Sequence, residues 1–344
     1  MEIASIQKPK GNDLIDLVKL ILSFAIVAVH TSLFDPYLYP WLRLAVPLFF
    51  MISSYFFFEK IKKCVSAKER LRALGSFALR NLKLYAFWFV VLFPINFFTR
   101  GWFDGGFFYG ILNIVINLFI GSTFVASWFI TALVIGTAIV FFLSRKLNNT
   151  LLLIIGALVF VAVCTRSSYM FLLEDFKGVL SAIWGYERIM NSPVNSFPAS
   201  IFWIVLGKVF ADGFRIKIKP SIILASISSV LLFTEWMLIK EYSGKFENDF
   251  YFMLAPACIA LFSILIQLKP KEIKYAGHMR KLSVIIFASH GAVLSCISYG
   301  CKLISISLPS PVVFLVTLGI SMCVGTVILL LEKYKYLRFL KHSH

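Results

Sequence analysis

Charged residues are scarce in this sequence. Asp, Glu, Lys and Arg make up only 15% of its 344 residues, whereas soluble domains average about 25%. Apolar stretches long enough to form transmembrane helices instead recur from one end to the other. This composition excludes a string of soluble domains. It predicts a single membrane-embedded domain over residues 1–344, with no soluble domain appended.

Cysteine pairs and metal-binding motifs are also lacking. The six cysteines are scattered with no C-x-x-C pair, which excludes both the usual zinc pattern and a disulfide framework. In apolar helices such cysteines usually behave as small apolar residues. The sequence therefore predicts no metal site, and we assign no chemistry to the cysteines at positions 64, 164, 258, 296, 301 and 323.

Acidic residues are half as frequent as basic ones, 17 against 34, and the net charge is +17. In a soluble protein this excess would suggest a nucleic-acid partner, but no nucleic-acid-binding motif is present. The basic residues lie mainly in the segments between apolar stretches, where they hold loops on the cytoplasmic side and attract anionic lipid. We therefore predict membrane lipid as a partner and no nucleic acid.

The apolar stretches define an all-α, polytopic transmembrane bundle. Eleven segments are apolar enough to count, and they lie near residues 14–34, 41–58, 82–98, 107–124, 127–143, 150–165, 199–212, 221–239, 251–268, 283–305 and 311–331.

The distribution of basic residues predicts which segments cross. Eight Lys or Arg lie between positions 60 and 83, so this stretch and the N-terminus should be cytoplasmic. The later basic stretches can share that side only if one middle segment does not cross. We expect segment 107–124, which follows "GWFDGG", to be re-entrant or interfacial, leaving ten spans and both termini cytoplasmic.

Lys19 and His30 stand out in the first apolar segment. They are eleven residues apart, which places them on one helix face with a rise of about 16.5 Å between them. An ionisable side chain deep in a membrane is a candidate functional group, and burial favours the neutral imidazole that a general base needs. The alternatives are a snorkelling lysine at a helix end and a histidine with a purely structural role.

These residues also carry a family resemblance. "IDLVKLILSFAIVAVHTSLF", with Lys19 and His30 separated by ten residues, resembles the first helix of the acyltransferase-3 family of integral membrane acyltransferases. "VPLFFMISSYFFF" (46–58) is similar to the family's second-helix motif, with Ser54 at its glycine position.

Four later stretches are similar to further motifs of that family, in the expected order. They are "LRNLKLYAFW" (79–88) with Arg80 and Lys83, "ASWFITAL" (126–133) with Trp128, "FWIVLGKVF" (202–210), and "LSVIIFASHGAV" (282–293) with His290. The matches run from residue 12 to about residue 293.

The resemblance implies a bacterial cell-membrane O-acyltransferase. Such an enzyme moves an acyl group, usually acetyl from acetyl-CoA, to a hydroxyl of an extracytoplasmic or membrane-bound glycan. It implies His30 as the general base and Lys19, Arg80 and Lys83 as donor contacts. Trp128 would contact the acceptor, and His290 would either bind the acceptor or form a structural hydrogen bond. A separate enzyme could instead receive the acyl group.

A proton-coupled transporter or polysaccharide flippase is the alternative, because such proteins also carry intramembrane His and Lys. The sequence shows neither duplicated halves nor paired broken helices, and this argues against a transporter. The acceptor, the acyl chain length and the oligomeric state are not predicted by the sequence.

Overall fold

The computed structural model describes residues 13–33, 37–99, 101–242, 249–268 and 272–344, and all regular structure in these ranges is helical. The all-α prediction is confirmed. The α-helices of the described ranges are α1 (Asp13–His30), α2 (Tyr39–Leu42), α3 (Ala45–Lys62), α4 (Ala67–Thr99), α5 (Phe107–Phe119), α6 (Trp128–Leu143), α7 (Asn149–Arg166), α8 (Lys177–Met190), α9 (Pro198–Ala211), α10 (Ile218–Tyr242), α11 (Leu254–Gln267), α12 (Ala276–Leu303) and α13 (Ser310–Leu331). Short 3-10 helices cover Met170–Leu173, Pro193–Asn195 and Lys335–Ser343.

Every predicted apolar segment coincides with a helix, but α4 is much longer than expected. It begins at Ala67, fifteen residues before the predicted segment 82–98, inside the basic stretch. The start is a capping box. The Glu69 backbone N–H donates to Ser66 Oγ at 3.1 Å, and Glu69 Oε2 accepts from the Ser66 N–H at 3.4 Å and from the Val65 N–H at 2.9 Å. Most of the basic stretch is therefore helical rather than a loop.

Helix length limits how many helices can cross a bilayer. Six helices of the described chain, with α2 and α3 taken as one, are long and apolar enough to cross, or seven if the bent pair around α8 and α9 counts as one span. The shorter apolar helices α5, α6 and α11 have 13, 16 and 14 residues, or about 20 to 24 Å, against a hydrocarbon core of about 30 Å. The ten-span count, the cytoplasmic termini and the re-entrant segment 107–124 stay predictions.

Burial follows the pattern expected of a protein dissolved in lipid. Nearly all of α9 is buried at the centre of the bundle. The buried residues of α13 recur every four positions and are mostly small or polar, whereas most of its large apolar side chains are exposed or partly exposed. Small residues at a helix interface allow close packing, and the apolar face is left for lipid. The buried positions of α13 are Thr317, Ser321, Gly325 and Leu329.

The closest helix contact at the centre joins α3 to α9. Ser54 of α3 is fully buried and donates its hydroxyl hydrogen to the Phe50 carbonyl at 2.8 Å. It faces Gly207 of α9, where a Cβ atom would lie 2.0 Å from Ser54 Oγ and 2.7 Å from the Met51 carbonyl oxygen. The sequence places Ser54 at a position where the family motif has glycine, and the opposing helix provides the missing space through Gly207.

The first prediction concerns this contact. We expect Gly207→Ala to destabilise the protein by about 1–3 kcal/mol, because the added methyl group collides with backbone as well as side chain. The measurement is the midpoint of thermal unfolding in detergent.

Gly319→Ala on α13 is the matched control, since a Cβ at Gly319 meets nothing within 4 Å. Alanine's better helix propensity should leave that variant as stable as wild type, or more stable by up to about 1 kcal/mol. Equal unfolding midpoints for the two variants would refute the close contact.

Candidate functional site

Helices α1 and α12 lie side by side and run in the same direction. Near their starts, Asp16 Oδ2 lies 3.6 Å from Arg280 Nη1. Near the end of α1, the ring centroids of His30 and His290 are 5.1 Å apart and tilted by 36°. We call the Asp16 end the basic end and the His30 end the cavity end. Lys19, His30 and His290 lie on this helix pair, and the other candidate residues come from neighbouring helices.

His30 is the last residue of α1, and its side chain is exposed because it faces a cavity. The cavity has a volume of about 80 Å³. Its apolar walls come from α1, α3, α6 and the middle of α12, and its polar lining residues besides His30 are Arg43, Asn195 and Asp249. The predicted acceptor residue Trp128 lines the same cavity. A small group entering this space would therefore meet the imidazole of His30 directly.

His290 lies behind His30 rather than in the cavity wall. Its side chain is fully buried. Its Nδ1 lies 2.8 Å from the Phe287 carbonyl oxygen and 3.2 Å from the Ile286 carbonyl oxygen, while its Nε2 has no hydrogen-bond partner among the described residues. The structure thus places both histidines singled out from the sequence together, although they are 260 positions apart in the chain.

An ion pair that the sequence analysis did not single out borders the cavity. Arg43 Nη2 lies 2.5 Å from Asp249 Oδ1, and the guanidinium lies over the Tyr39 ring with its carbon 4.5 Å from the ring centroid. The Asp249 backbone N–H donates to Ser167 Oγ at 2.9 Å, which fixes the position of the carboxylate. The sequence feature that could have pointed to this pair is the position of Arg43 within an apolar segment, where an unpaired charge is costly.

Trp128 is held near the histidines by a turn packed on α12. Ser127 Oγ accepts from the Thr123 backbone N–H at 2.9 Å, closing the turn that precedes α6. Val125 in this turn occupies the space beside Gly291, where a Cβ atom would come within 2.2 Å of the Val125 Cβ. Gly291 directly follows His290, so this close approach brings Trp128 to the cavity. Sequence reasoning missed Gly291.

The basic end collects several cations. Lys19 is partly buried on α1, within electrostatic range of Asp16, Arg280 and Arg80. Arg80 and Lys83 are exposed, one helical turn apart on α4. Asp16 is only 6% exposed, so its carboxylate acts as a buried partner for Arg280 rather than as a solvated helix-start charge. Arg280 was not predicted to be a site residue.

The predicted residues therefore separate into two groups. His30, His290 and Trp128 meet at the cavity end, whereas Lys19 and Arg80 meet at the basic end, with Lys83 beside them. Lys19 does not line the cavity, and its distance along α1 from His30 is about 16.5 Å. Within the described ranges, no three His, Cys, Asp or Glu side chains are grouped so that they could hold a metal ion.

Comparison with known proteins gives one family and two relatives. The sequence model of an acyltransferase domain, that of the acyltransferase-3 family, matches residues 12–330. Two proteins of Enterococcus faecalis, both named amino-acid racemase, are 24% identical over 276 residues and 22% identical over 348 residues. These alignments cover 75% and 93% of this chain but only 36% and 46% of the relatives, so the chain spans less than half of their length. No solved structure matches.

The second prediction concerns the ion pair beside the cavity. We expect Asp249→Ala to lower the free energy of unfolding by about 1–3 kcal/mol, because it leaves the guanidinium of Arg43 without its charged partner. Thermal unfolding in detergent measures the change. Asp175→Ala is the matched control, since Asp175 is exposed at the surface; a loss of equal size in both variants would contradict a structural role for the pair.

Proposed function

The chain belongs to the acyltransferase-3 family of integral membrane acyltransferases, whose domain model matches residues 12–330, and we propose that it is an O-acyltransferase that uses cytoplasmic acyl-CoA. The acceptor is a hydroxyl group of an extracytoplasmic or membrane-bound glycan. One observation carries the proposal: His30 is exposed in a small cavity at the opposite end of α1 from a group of cations.

The basic end suits the donor. Coenzyme A carries phosphate groups, and Lys and Arg side chains bind phosphate through charge-assisted hydrogen bonds. Lys19, Arg80 and Lys83 provide the cations that we assign to the donor, and Arg280 adds another beside them. In the predicted topology of ten spans with cytoplasmic termini, this end faces the cytoplasm, where acyl-CoA is available. Acetyl is the acyl group we propose.

The chemical step is assigned to His30. A neutral imidazole nitrogen takes the proton of the acceptor hydroxyl while the hydroxyl oxygen forms a bond to the thioester carbonyl carbon. The carbon–sulfur bond then breaks, and the imidazolium returns its proton to the departing thiolate to give free CoA. The thioester must reach the cavity from the basic end, and the pantetheine arm of CoA is the flexible part that would span the distance along α1.

The cavity end suits a sugar acceptor. Trp128 presents an aromatic surface on which a sugar ring can pack, and the cavity also offers the charged groups of Arg43 and Asp249 and the amide of Asn195. His290 was predicted to bind the acceptor, but its fully buried ring lies outside the cavity lining. We therefore propose a different role for it below.

The names of the relatives add no second function. Amino-acid racemase describes the Enterococcus faecalis proteins, and this chain covers less than half of each. A racemase activity is therefore not part of the proposal. Transport across the membrane is the competing function that the experiments must separate from acyl transfer.

The third prediction tests the base. We expect His30→Ala to lower the rate of acetyl transfer from radiolabelled acetyl-CoA to membrane glycan by about 100-fold or more, because general-base catalysis typically contributes that much. The measurement uses membranes that contain equal amounts of folded protein. His278→Ala is the matched control, since His278 is exposed near the start of α12.

Two outcomes would contradict the proposed function. One is unchanged acetyl transfer in His30→Ala. The other is wild-type protein that transfers no acyl group from acyl-CoA but moves a solute or lipid-linked glycan across vesicles without any thioester, which would establish a transporter or flippase.

The fourth prediction tests the donor site. We expect Arg80→Gln to raise the KM for acetyl-CoA about tenfold or more while kcat changes little, because a charge-assisted contact to phosphate is lost from the bound state. Steady-state kinetics in detergent measures both constants. Arg338→Gln, an exposed arginine near the C-terminus, is the control; equal KM values for the two variants would remove Arg80 from the donor site.

A further inference from the structure

The ring of His290 has one nitrogen with partners and one without. Nδ1 faces two backbone carbonyl oxygens, at 2.8 Å and 3.2 Å. A carbonyl oxygen can only accept a hydrogen bond, so Nδ1 must carry the hydrogen. In the neutral ring, Nε2 is then a bare acceptor. The local structure of α12 thus determines the tautomer of His290 without help from any other helix.

Nε2 is one of eleven buried polar side-chain atoms of the described residues without a hydrogen-bond partner, and its ring lies 5.1 Å from the ring of His30. It is fully buried and has no hydrogen-bond partner among the described residues. Buried polar atoms are nearly always paired, and an unpaired one costs free energy of folding. An acceptor retained at this depth points to a donor that reaches it in another state of the site.

The imidazole of His30 is the donor within reach. The two ring centroids are 5.1 Å apart and the rings are tilted by 36°. The charged residues that line the cavity with His30, Arg43 and Asp249, are paired with each other. No hydrogen bond joins the two rings as the described structure has them. A rotation of the exposed His30 ring at the end of α1 would bring an N–H toward Nε2.

We propose that His290 is a positioning residue for His30: its Nε2 accepts the N–H of His30 and thereby turns the other ring nitrogen of His30, with its lone pair, toward the cavity. This inference rests on the proposed function. A neutral histidine here plays the orienting part that a carboxylate plays in a Ser-His-Asp triad.

The same contact acts during the reaction. When His30 takes the proton of the acceptor hydroxyl, the imidazolium donates a stronger hydrogen bond to Nε2, which stabilises the positive charge on His30. The proton stays on His30 until the carbon–sulfur bond breaks and the thiolate receives it. His290 gains no proton and forms no covalent bond.

The fifth prediction compares two substitutions at this position. His290→Phe keeps a flat ring but has no acceptor, and we expect kcat to fall about 100-fold or more, with the KM for acetyl-CoA unchanged because the donor contacts lie at the other end of α1. His290→Gln has a carbonyl oxygen that can accept from His30, and we expect its kcat to recover to within about tenfold of wild type. Ser289→Ala, one position earlier on α12, is the control and should keep wild-type kinetics.

The comparison separates positioning from a structural role. If His290 only fills space, His290→Phe keeps its kcat, and the inference is wrong. It is also wrong if the Phe and Gln variants lose activity equally, or if KM rises in step with the loss of kcat. If His290→Phe is not recovered folded, as judged by thermal unfolding, His290→Leu replaces it with the same expected result.

Failure of this inference is distinguishable from failure of the proposed function. Full activity in His290→Phe together with an inactive His30→Ala would overturn the positioning role alone. A wild-type protein that transfers no acyl group would overturn the proposed function itself.

Discussion

The parallel packing of α1 against α12 is the contact on which both ends of the candidate site depend. Asp16 meets Arg280 at one end of the pair, and His30 meets His290 at the other. A shift of one helix along the other by a single turn, about 5.4 Å, would separate both pairs together. The basic end and the cavity are therefore positioned by one rigid element rather than by two independent loops.

Lipid as the solvent explains how this packing is maintained. Helices in a bilayer gain little from hiding large apolar side chains, so close approach of small residues provides much of the association. Gly207 facing Ser54, Gly291 beside Val125 and Gly325 beside Leu282 are three such approaches. Two of the three contacts involve α12, through Gly291 and Leu282. Gly291, which allows the turn before Trp128 to pack on α12, directly follows the buried His290 in the sequence.

The cavity end joins parts of the chain that are far apart in sequence. His30 comes from α1, Arg43 precedes α3, Trp128 begins α6, and Asp249 precedes α11. Two of these segments are held by hydrogen bonds to serine: Ser167 Oγ accepts the backbone N–H of Asp249, and Ser127 Oγ accepts the N–H of Thr123 in the turn before Trp128. Side chains held in this way lose little further freedom when a substrate binds, which favours catalysis. The imidazole of His30, at a helix end, is the part with room to turn.

The amino-acid sequence was enough to predict the helical class, the positions of the apolar segments, the family, and the shared helix face of Lys19 and His30. These properties follow from local periodicity and composition, which a linear chain displays directly. It did not determine the length of α4 or the count of crossing helices. The length of α4 depends on the capping contacts of Ser66 and Glu69, which lie within the basic stretch. The count of crossing helices depends on where the membrane boundaries lie, which the charge distribution does not define.

Which distant residues meet follows from the packing of the helices and could not be predicted from the sequence. The contact of His30 with His290, which lies 260 positions later in the chain, depends on how the helices pack. The pairing of Arg43 with Asp249 depends on the same packing. Packing depends on the shapes of both surfaces at once, such as a glycine opposite a serine. That complementarity is a property of two segments together, so neither segment read alone could reveal it.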